Sequence, residues 1–565
     1  MESGSTSSLG PDLADPVVMA RRALHYLGCN PRPERGWECQ FSFFMLNDPI
    51  LVPLVPSTHD LEDPVTLGDT ESRMDYAFLM MREMAGGEMG RAAQEGVRRR
   101  IMSYLRDDGL CWLIPYSCSP DHDKEYALSW TTGKLLYSLS HQYRLTGEDH
   151  YRELARKLFE GLRSLASWHT GRAYYAFGAQ PWHPDGCARG YERHYPWVVE
   201  PVLTYFECTG DAEAFDFGLA MGEGMVCDLQ PGHLHRENGF VGGHTHVQMH
   251  AVIGVAHLGA ITRDPRHIEW ARHAYECIRN RGLETGWVPE MNDLEINPSH
   301  LYHSLHCETC LVGDMTAIAA YLARSGYTAY WDHVERTVRN YLQPNQFRVT
   351  TRLEQLYRQL HPDQTRAEIG LAAMRQLDGG FISSPAPNDW VFSVPPEWDH
   401  HGMFGPDRLV LDMMGCCPPE GMRALHICWS ETVIEKPEAV EVNLSLRRDA
   451  PAASVIPLNC GQQGVRVTPK RSGNFLVRPP AWADRLNVCA YRSGHSVPVE
   501  WKGDYVSFEA AQAGEELSIS FQAVSFQQTS VIGPAEYERT YVIDWVGNQA
   551  RQMSPQGKYL PAIGE

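Results

Sequence analysis

The chain has 565 residues, more than the roughly 250–300 that one hydrophobic core serves, so two domains are expected. Its 43% hydrophobic and 21% charged residues are those of an ordinary soluble globular protein. A formal charge of −20, with no basic run or RNP-like motif, excludes a nucleic-acid binder and says little about a substrate.

Met1–Pro11 is Ser/Gly-rich, with neither a basic n-region nor an apolar h-region, and no apolar run has membrane-spanning length. Fifteen scattered cysteines then read as reduced thiols, and a cytoplasmic protein without a membrane partner is expected. From about residue 12 to 425 the pattern is helical, with apolar residues three and four apart. Met74–Met84, Ala92–Leu105, Thr132–Leu145 and Tyr151–Ser167 begin the series. Val247–Ile261, His267–Asn280, Gly313–Gly326 and Trp331–Leu342 continue it. Arg144–Asp149 and Ile261–Arg266 are two versions of one helix–turn–helix junction, as are Tyr205–Asp211 and Leu322–Tyr327. Helix pairs recurring about every 50–60 residues predict an α-toroid, an (α/α)6 barrel. Pro385–Pro406, rich in Pro, Trp, His and Asp, is expected to form an ordered cover, because long irregular stretches are usually functional.

After about Glu431 short alternating runs follow, separated by Gly, Pro, Ser and Asp. They are Val440–Leu446, Val465–Val467, Asn474–Val477, Leu486–Tyr491, Tyr505–Phe508 and Glu516–Phe521. They predict an antiparallel β-sandwich. Arg539–Trp545 is one more strand, before a Gly/Pro/Ser-rich tail. The expected division is a barrel domain at 1–430 and a sandwich domain with its C-terminal tail at 431–565. The sandwich either packs only on the barrel or also joins two copies as a homodimer; the sequence leaves both open.

The residues that carry chemistry are split. Glu308-Thr309-Cys310 comes first, and Gly415-Cys416-Cys417-Pro418-Pro419 follows about a hundred residues later. Three thiols and a carboxylate suit a four-ligand zinc site, and one of two adjacent cysteines can serve as a nucleophile. Prolines suit a first helical turn, and a helix N-terminus lowers a thiol pKa. Buried thiols without metal explain the same spacing. No paired C-x-x-C set is present, and Cys307–Cys310 lacks the βαβ context of a redox motif.

These elements resemble the β-L-arabinofuranosidases of glycoside hydrolase family 127 and their relatives. Glu308-Thr309-Cys310 with Gly313 resembles the family's E-T-C element. Gly415–Pro419 with Arg423 resembles its C-C-P-P-N-x-x-R element. His244–Ala251 resembles the H-A-N-T-Q-I-P-K helix, and Val477–Ala483 resembles the R-I-P-G-W-A strand. The resemblance implies an (α/α)6 barrel followed by a β-sandwich, and zinc on Glu308, Cys310, Cys416 and Cys417. It implies that Cys416 is the nucleophile of a retaining glycosidase, with an upstream glutamate as general acid and base. At the position of that glutamate this chain has Asn292. Glu290 is the expected substitute, with Asp293 and Glu295 as alternatives.

Three further departures bear on recognition. The Asn of the histidine helix is His246, the Pro-Lys pair is His250-Ala251, and the Asn after the prolines is Glu420. The expected activity is therefore hydrolysis of a terminal β-L-arabinofuranoside or a related plant or bacterial glycan sugar, with a small-molecule or oligosaccharide substrate. A glycosidase for a rarer branched or acidic sugar, and a catalytically silent carbohydrate-binding protein, are the alternatives. His244, His246, Trp398 and His401 are the candidate sugar contacts; core packing is the ordinary role of any single Trp. His246 and His250 have i, i+4 spacing but lack the H-E-x-x-H glutamate, so no second metal is expected. Glu71–Asp75 at a helix start either reaches the pocket or caps the helix.

Overall fold

The computed structural model describes residues 14–47, 55–56, 68–113, 126–127, 129–175, 196–228, 244–291, 304–393, 408–459 and 463–564. The helices are α1 (Pro16–Cys29), α2 (Asp69–Ala85), α3 (Arg91–Met102), α4 (Ser129–Thr146), α5 (Asp149–Ser164), α6 (Pro196–Thr209) and α7 (Ala212–Asp228). They continue as α8 (Thr245–Thr262), α9 (Pro265–Arg279), α10 (Thr309–Arg324), α11 (Tyr330–Thr337), α12 (Thr351–Leu360), α13 (Gln364–Arg375) and α14 (Cys417–Ser430).

Six of them close a ring. α2 packs on α4, α4 on α6, α6 on α8, α8 on α10, α10 on α14, and α14 returns to α2. α1, α3, α5, α7, α9 and α11 lie outside, each against an inner helix. Burial follows this layering. Every residue of α8 from Thr245 to Gly259 is buried, whereas α5 buries a stripe of Ala155, Leu158, Phe159 and Leu162 and turns its charges outward. This is the (α/α)6 barrel the helix pairs predict. α6 escapes the periodic pattern because it is apolar on most sides and carries Pro201 in its interior. The junction read at Tyr205–Asp211 is where α6 ends and α7 begins, while α1, α12 and α13 lie outside the runs named from the sequence.

Three of the four repeated junctions share one geometry. Thr146, Thr209 and Thr262 each donate a side-chain hydrogen bond to the carbonyl four residues back. Each also accepts one from the amide two residues on. The residue between is left-handed: Gly147 at φ 70°, Gly210 at φ 72° and Arg263 at φ 60°. Its N–H closes the preceding helix on Tyr143, Phe206 or Gly259. A Cβ at Gly210 would meet nothing within 4 Å, so Gly210→Ala isolates the backbone cost. It is expected to lower stability by about 1–2 kcal/mol, and Arg263→Gly to raise it. Urea midpoints that move in the same direction would contradict this account.

The chain beyond α14 is β-rich. A five-stranded and a six-stranded sheet enclose a core that includes Val440, Val465, Phe475, Phe508, Leu517 and Ile519. All their pairings are antiparallel except one: Val440–Val442 runs parallel to Phe475–Val477. A third sheet, Ser525–Ile532, Arg539–Val546 and Gln549–Ser554, packs differently. Its Ile543, Trp545 and Met553, with Leu560 and Ile563 of the tail, join the core of the helical barrel. The tail also anchors the loop after Pro385. The Asp389 carboxylate accepts the Tyr559 and Leu560 amides at 2.6 and 2.8 Å, and buried Trp390 donates to the Pro344 carbonyl. Among the described residues no helix is long and apolar enough to cross a membrane.

Candidate active site

The split sequence elements converge at the N-terminal ends of inner helices. His244 caps α8, Glu308 caps α10 and Cys416 precedes α14, whose first turn holds Pro418. Helix N-termini favour thiolate and carboxylate charge. Gly313 lets α10 and α14 approach, since a Cβ there would lie 3.0 Å from the Glu420 carbonyl oxygen.

One ligand atom each from Glu308, Cys310, Cys416 and Cys417 lies within 4.8 Å of all the others. Cys417 Sγ is 3.3 Å from Cys310 Sγ, 3.8 Å from Cys416 Sγ and 3.9 Å from Glu308 Oε1. Sulfurs bound at about 2.3 Å to a tetrahedral zinc lie about 3.8 Å apart, so the donor set fits such an ion. This buried cluster could hold a metal ion. Cys310 and Cys417 are fully buried, while Cys416 is partly open. Hydrogen bonds from the Cys310 and Cys417 thiols hold Cys416 well below the usual thiol range, and burial raises the other two. Three thiolates, a carboxylate and a divalent ion carry a net charge of about −2. Two cationic groups touch the set: Arg73 Nη1 lies 3.6 Å from Cys310 Sγ, and His244 Nε2 donates to Glu308 Oε2 at 2.6 Å. Burial opposes protonation of His244, but the Glu308 carboxylate overrides it and raises the imidazole to about 9.

Glu290 stands beside this set. Its amide donates to the His306 carbonyl, and its own carbonyl accepts from the Thr245 amide. Atoms of His244, Glu290 and Glu308 lie within 4.8 Å of one another, and Glu290 Oε2 is 3.2 Å from His306 Nε2. The His306 ring stacks on Phe392 at 4.4 Å. Asp293 and Glu295 lie outside the described residues, as do Trp398 and His401.

Behind the thiols sits a buried charged network. Arg73 donates to Asp69, to Glu420 at 2.8 Å and to His246 Nε2 at 3.3 Å. Glu420 also accepts from Tyr76 and Arg423, and Arg423 reaches Glu200. His246 and His250 donate their Nδ1 hydrogens to the two oxygens of Asp314 at 2.5 and 3.0 Å. Burial lowers both imidazoles to about 4, so they are neutral near pH 7. The two histidines with Asp314 form a further cluster of metal-ligand type. Arg73 and Arg423 flank it, and their charge opposes a cation there.

His246, His250 and Glu420 thus belong to one interior network, while His244 is half-buried on Glu308. Glu71 accepts the Gly68 amide and pairs with Arg100, and Asp75 pairs with Arg98, so these two are structural. Thr132 is buried and accepts the Cys111 amide. Arg73, the member of Glu71–Asp75 that reaches the thiols, carries no sequence signal beyond that short charged run. Asp314 and Glu200 carry none at all, because their partners come from other helices.

No protein-family model and no curated protein matches the chain. Solved structures do. Ara127N-Se, a GH127 β-L-arabinofuranosidase from Geobacillus stearothermophilus T6, is similar with a TM-score of 0.60 at 14% identity. The likeness covers 94% of this chain and 84% of that one. The GH127 β-arabinofuranosidase BT3674 has a TM-score of 0.55 at 14% identity, over 95% of this chain and 81% of that one. A structure described as a glycoside hydrolase has a TM-score of 0.56 at 12% identity, over 92% and 84%. The chain therefore has the fold of the GH127 β-arabinofuranosidases, a helical barrel followed by a β-rich region.

Proposed function

We propose that the protein is a retaining exo-glycoside hydrolase with Cys416 as nucleophile, acting on a terminal β-L-arabinofuranoside or a related glycan sugar. The observation that carries this reading is the partly open Cys416 thiol inside a buried set of two further thiols and Glu308, with Glu290 alongside. The fold shared with arabinofuranosidases supports it. Glu308, Cys310, Cys416 and Cys417 would hold zinc. When bound, zinc keeps such thiols deprotonated at neutral pH.

The chain's own residues then have distinct tasks. Cys416 Sγ forms a bond to the anomeric carbon as the glycosidic C–O bond breaks. Glu290 gives its proton to the departing oxygen. It then takes a proton from the water that displaces sulfur, and two inversions retain configuration. Ligand atoms of Cys416 and of Glu290 each lie within 4.8 Å of a Glu308 oxygen, and a retaining mechanism requires the two groups to stand roughly 5 Å apart. His244 holds Glu308, and His306 Nε2 lies 3.2 Å from Glu290 Oε2.

The test is metal content together with a mass spectrum after incubation with an activated arabinofuranoside. One zinc per chain and a glycosyl adduct on the Cys416 peptide are expected. Zinc with neither adduct nor turnover, across aryl furanosides and pyranosides, would leave a carbohydrate-binding role instead. Carefully reduced protein without zinc would remove the site assignment. Glu290→Gln should keep its zinc and lose about 10²–10⁴-fold in rate on substrates with poor leaving groups. Aryl substrates whose leaving group needs no proton should form the adduct at near the wild-type rate. Equal losses on both substrate classes would remove Glu290 from the acid role.

A further inference from the structure

The two halves of the thiol–carboxylate set are 107 residues apart at Cys310 and Cys417, yet their sulfurs are 3.3 Å apart. Packing of α10 on α14 brings them near. Metal ligation, however, demands ligand positions good to about 0.2 Å, finer than helix packing alone sets. A short buried segment, Ile382-Ser383-Ser384-Pro385, bonds to the chain beside Glu290, to the chain around Cys310 and to the chain leading to Cys416.

Toward the first half, Ser383 O accepts the Thr309 amide at 2.9 Å, and Ile382 O accepts the Thr309 hydroxyl. Pro385 O accepts the Cys307 amide at 3.0 Å. Toward the Glu290 segment, Pro385 O also accepts Trp287 Nε1 at 2.9 Å. Toward the second half, the Ser383 amide donates to Asp412 O, and Ser383 Oγ accepts the Met414 amide at 2.7 Å. The Asp412 carboxylate accepts both the amide and the hydroxyl of Ser384, at 3.0 and 2.9 Å. Ser383 and Asp412 are fully inaccessible to solvent, and Ser384 is 2% exposed. Asp412 sits on Leu409–Met413, which is buried throughout and paired with Gln40–Met45.

We propose that Ser383 and Ser384, anchored on Asp412, are positioning residues: a clamp that fixes the spacing between Glu308-Cys310 and Cys416-Cys417. The clamp touches neither substrate nor metal. It acts through the backbone that carries the ligands, and it rests on the metal reading above.

The test loads full-length, reduced, metal-free protein with Co²⁺, whose thiolate charge-transfer and ligand-field bands report the ligand geometry. Wild type is expected to take one Co²⁺ with a tetrahedral thiolate spectrum. Ser383→Ala and Asp412→Ala should bind Co²⁺ about 10–100-fold more weakly, the scale of outer-shell changes, with altered band intensities. Asp412→Asn should restore affinity and spectrum, because an amide can still pair with both groups of Ser384. Wild-type affinity and spectrum in Ser383→Ala would overturn the clamp while leaving the metal site standing. Wild type that binds no Co²⁺ would overturn both. If Asp412→Ala does not fold, Ser383→Ala, which removes a single oxygen, decides.

Discussion

Replacing Cys416 by serine is expected to reduce turnover of an activated arabinofuranoside by about three to six orders of magnitude and to abolish the glycosyl adduct. The loss is this large because the nucleophile takes part in both halves of a double displacement. A serine hydroxyl stays protonated at neutral pH, whereas Cys416 is held well below the ordinary thiol range by the neighbouring thiols. Cys416 is also the one member of the four that is partly open. Its partner is expected to fail differently. Cys417→Ser removes a fully buried sulfur and should lose metal first, with activity following metal content. Steady-state rates, intact mass and metal analysis on the two variants separate these outcomes. Cys416→Ser retaining a tenth of wild-type turnover would move the nucleophile elsewhere.

Arg73→Met is expected to destabilise the metal-free protein by about 3–5 kcal/mol, the cost of leaving a buried charge uncompensated. The guanidinium is 1% exposed and joins Asp69, Glu420, His246 and Cys310 in one planar fork. Without it Glu420 keeps Tyr76 and Arg423 but loses its 2.8 Å partner. The double variant Arg73→Met/Glu420→Gln should lose clearly less than the sum of the two single changes, because both act on one pair. Arg73→Lys should not restore stability, since a point-like ammonium cannot serve four directions at once. Denaturant midpoints followed by far-ultraviolet circular dichroism on the two single variants, the double variant and Arg73→Lys read these outcomes. Strict additivity would mean that Arg73 and Glu420 do not act as a pair.

The three positions that differ from the glycoside hydrolase family 127 elements this sequence resembles meet around this pair and Asp314. Read in sequence, His246, His250 and Glu420 look like three separate changes to a recognition surface. In the fold, Arg73 bridges His246 and Glu420, and Asp314 bridges His246 and His250. They meet in one network inside the barrel, and such a buried network holds together only when each member has its partner.

The helical half was legible because outer helices such as α5 and α9 expose one face and bury the other, which imposes a 3.6-residue rhythm. The repeated Thr–(Gly or Arg)–acid junctions were legible because a left-handed residue and a side-chain hydroxyl bond restrict which residues fit. Inner helix α6 was not, since a helix surrounded by protein has no polar face to mark its period. The tail after Arg539–Trp545 reads as Gly/Pro/Ser-rich connection, yet Gln549–Ser554 is a strand and Leu560 and Ile563 fill the barrel core. A strand pairing needs a partner, and its partner is visible only once the chain has folded.

By itself the sequence determined which thiols and carboxylates are candidates for the site, the order of helical and β-rich parts and the toroidal repeat, because residue type and local period encode these directly. Only the tertiary structure decided that four ligand atoms separated by a hundred residues lie within 4.8 Å, that Arg73 rather than Glu71 or Asp75 reaches them, and that Ser383, Ser384 and Asp412 bind the two halves together. Those facts depend on where helix ends and loops meet in space, and the closing of a ring of six helices sets that meeting, with no trace in the residues on either side.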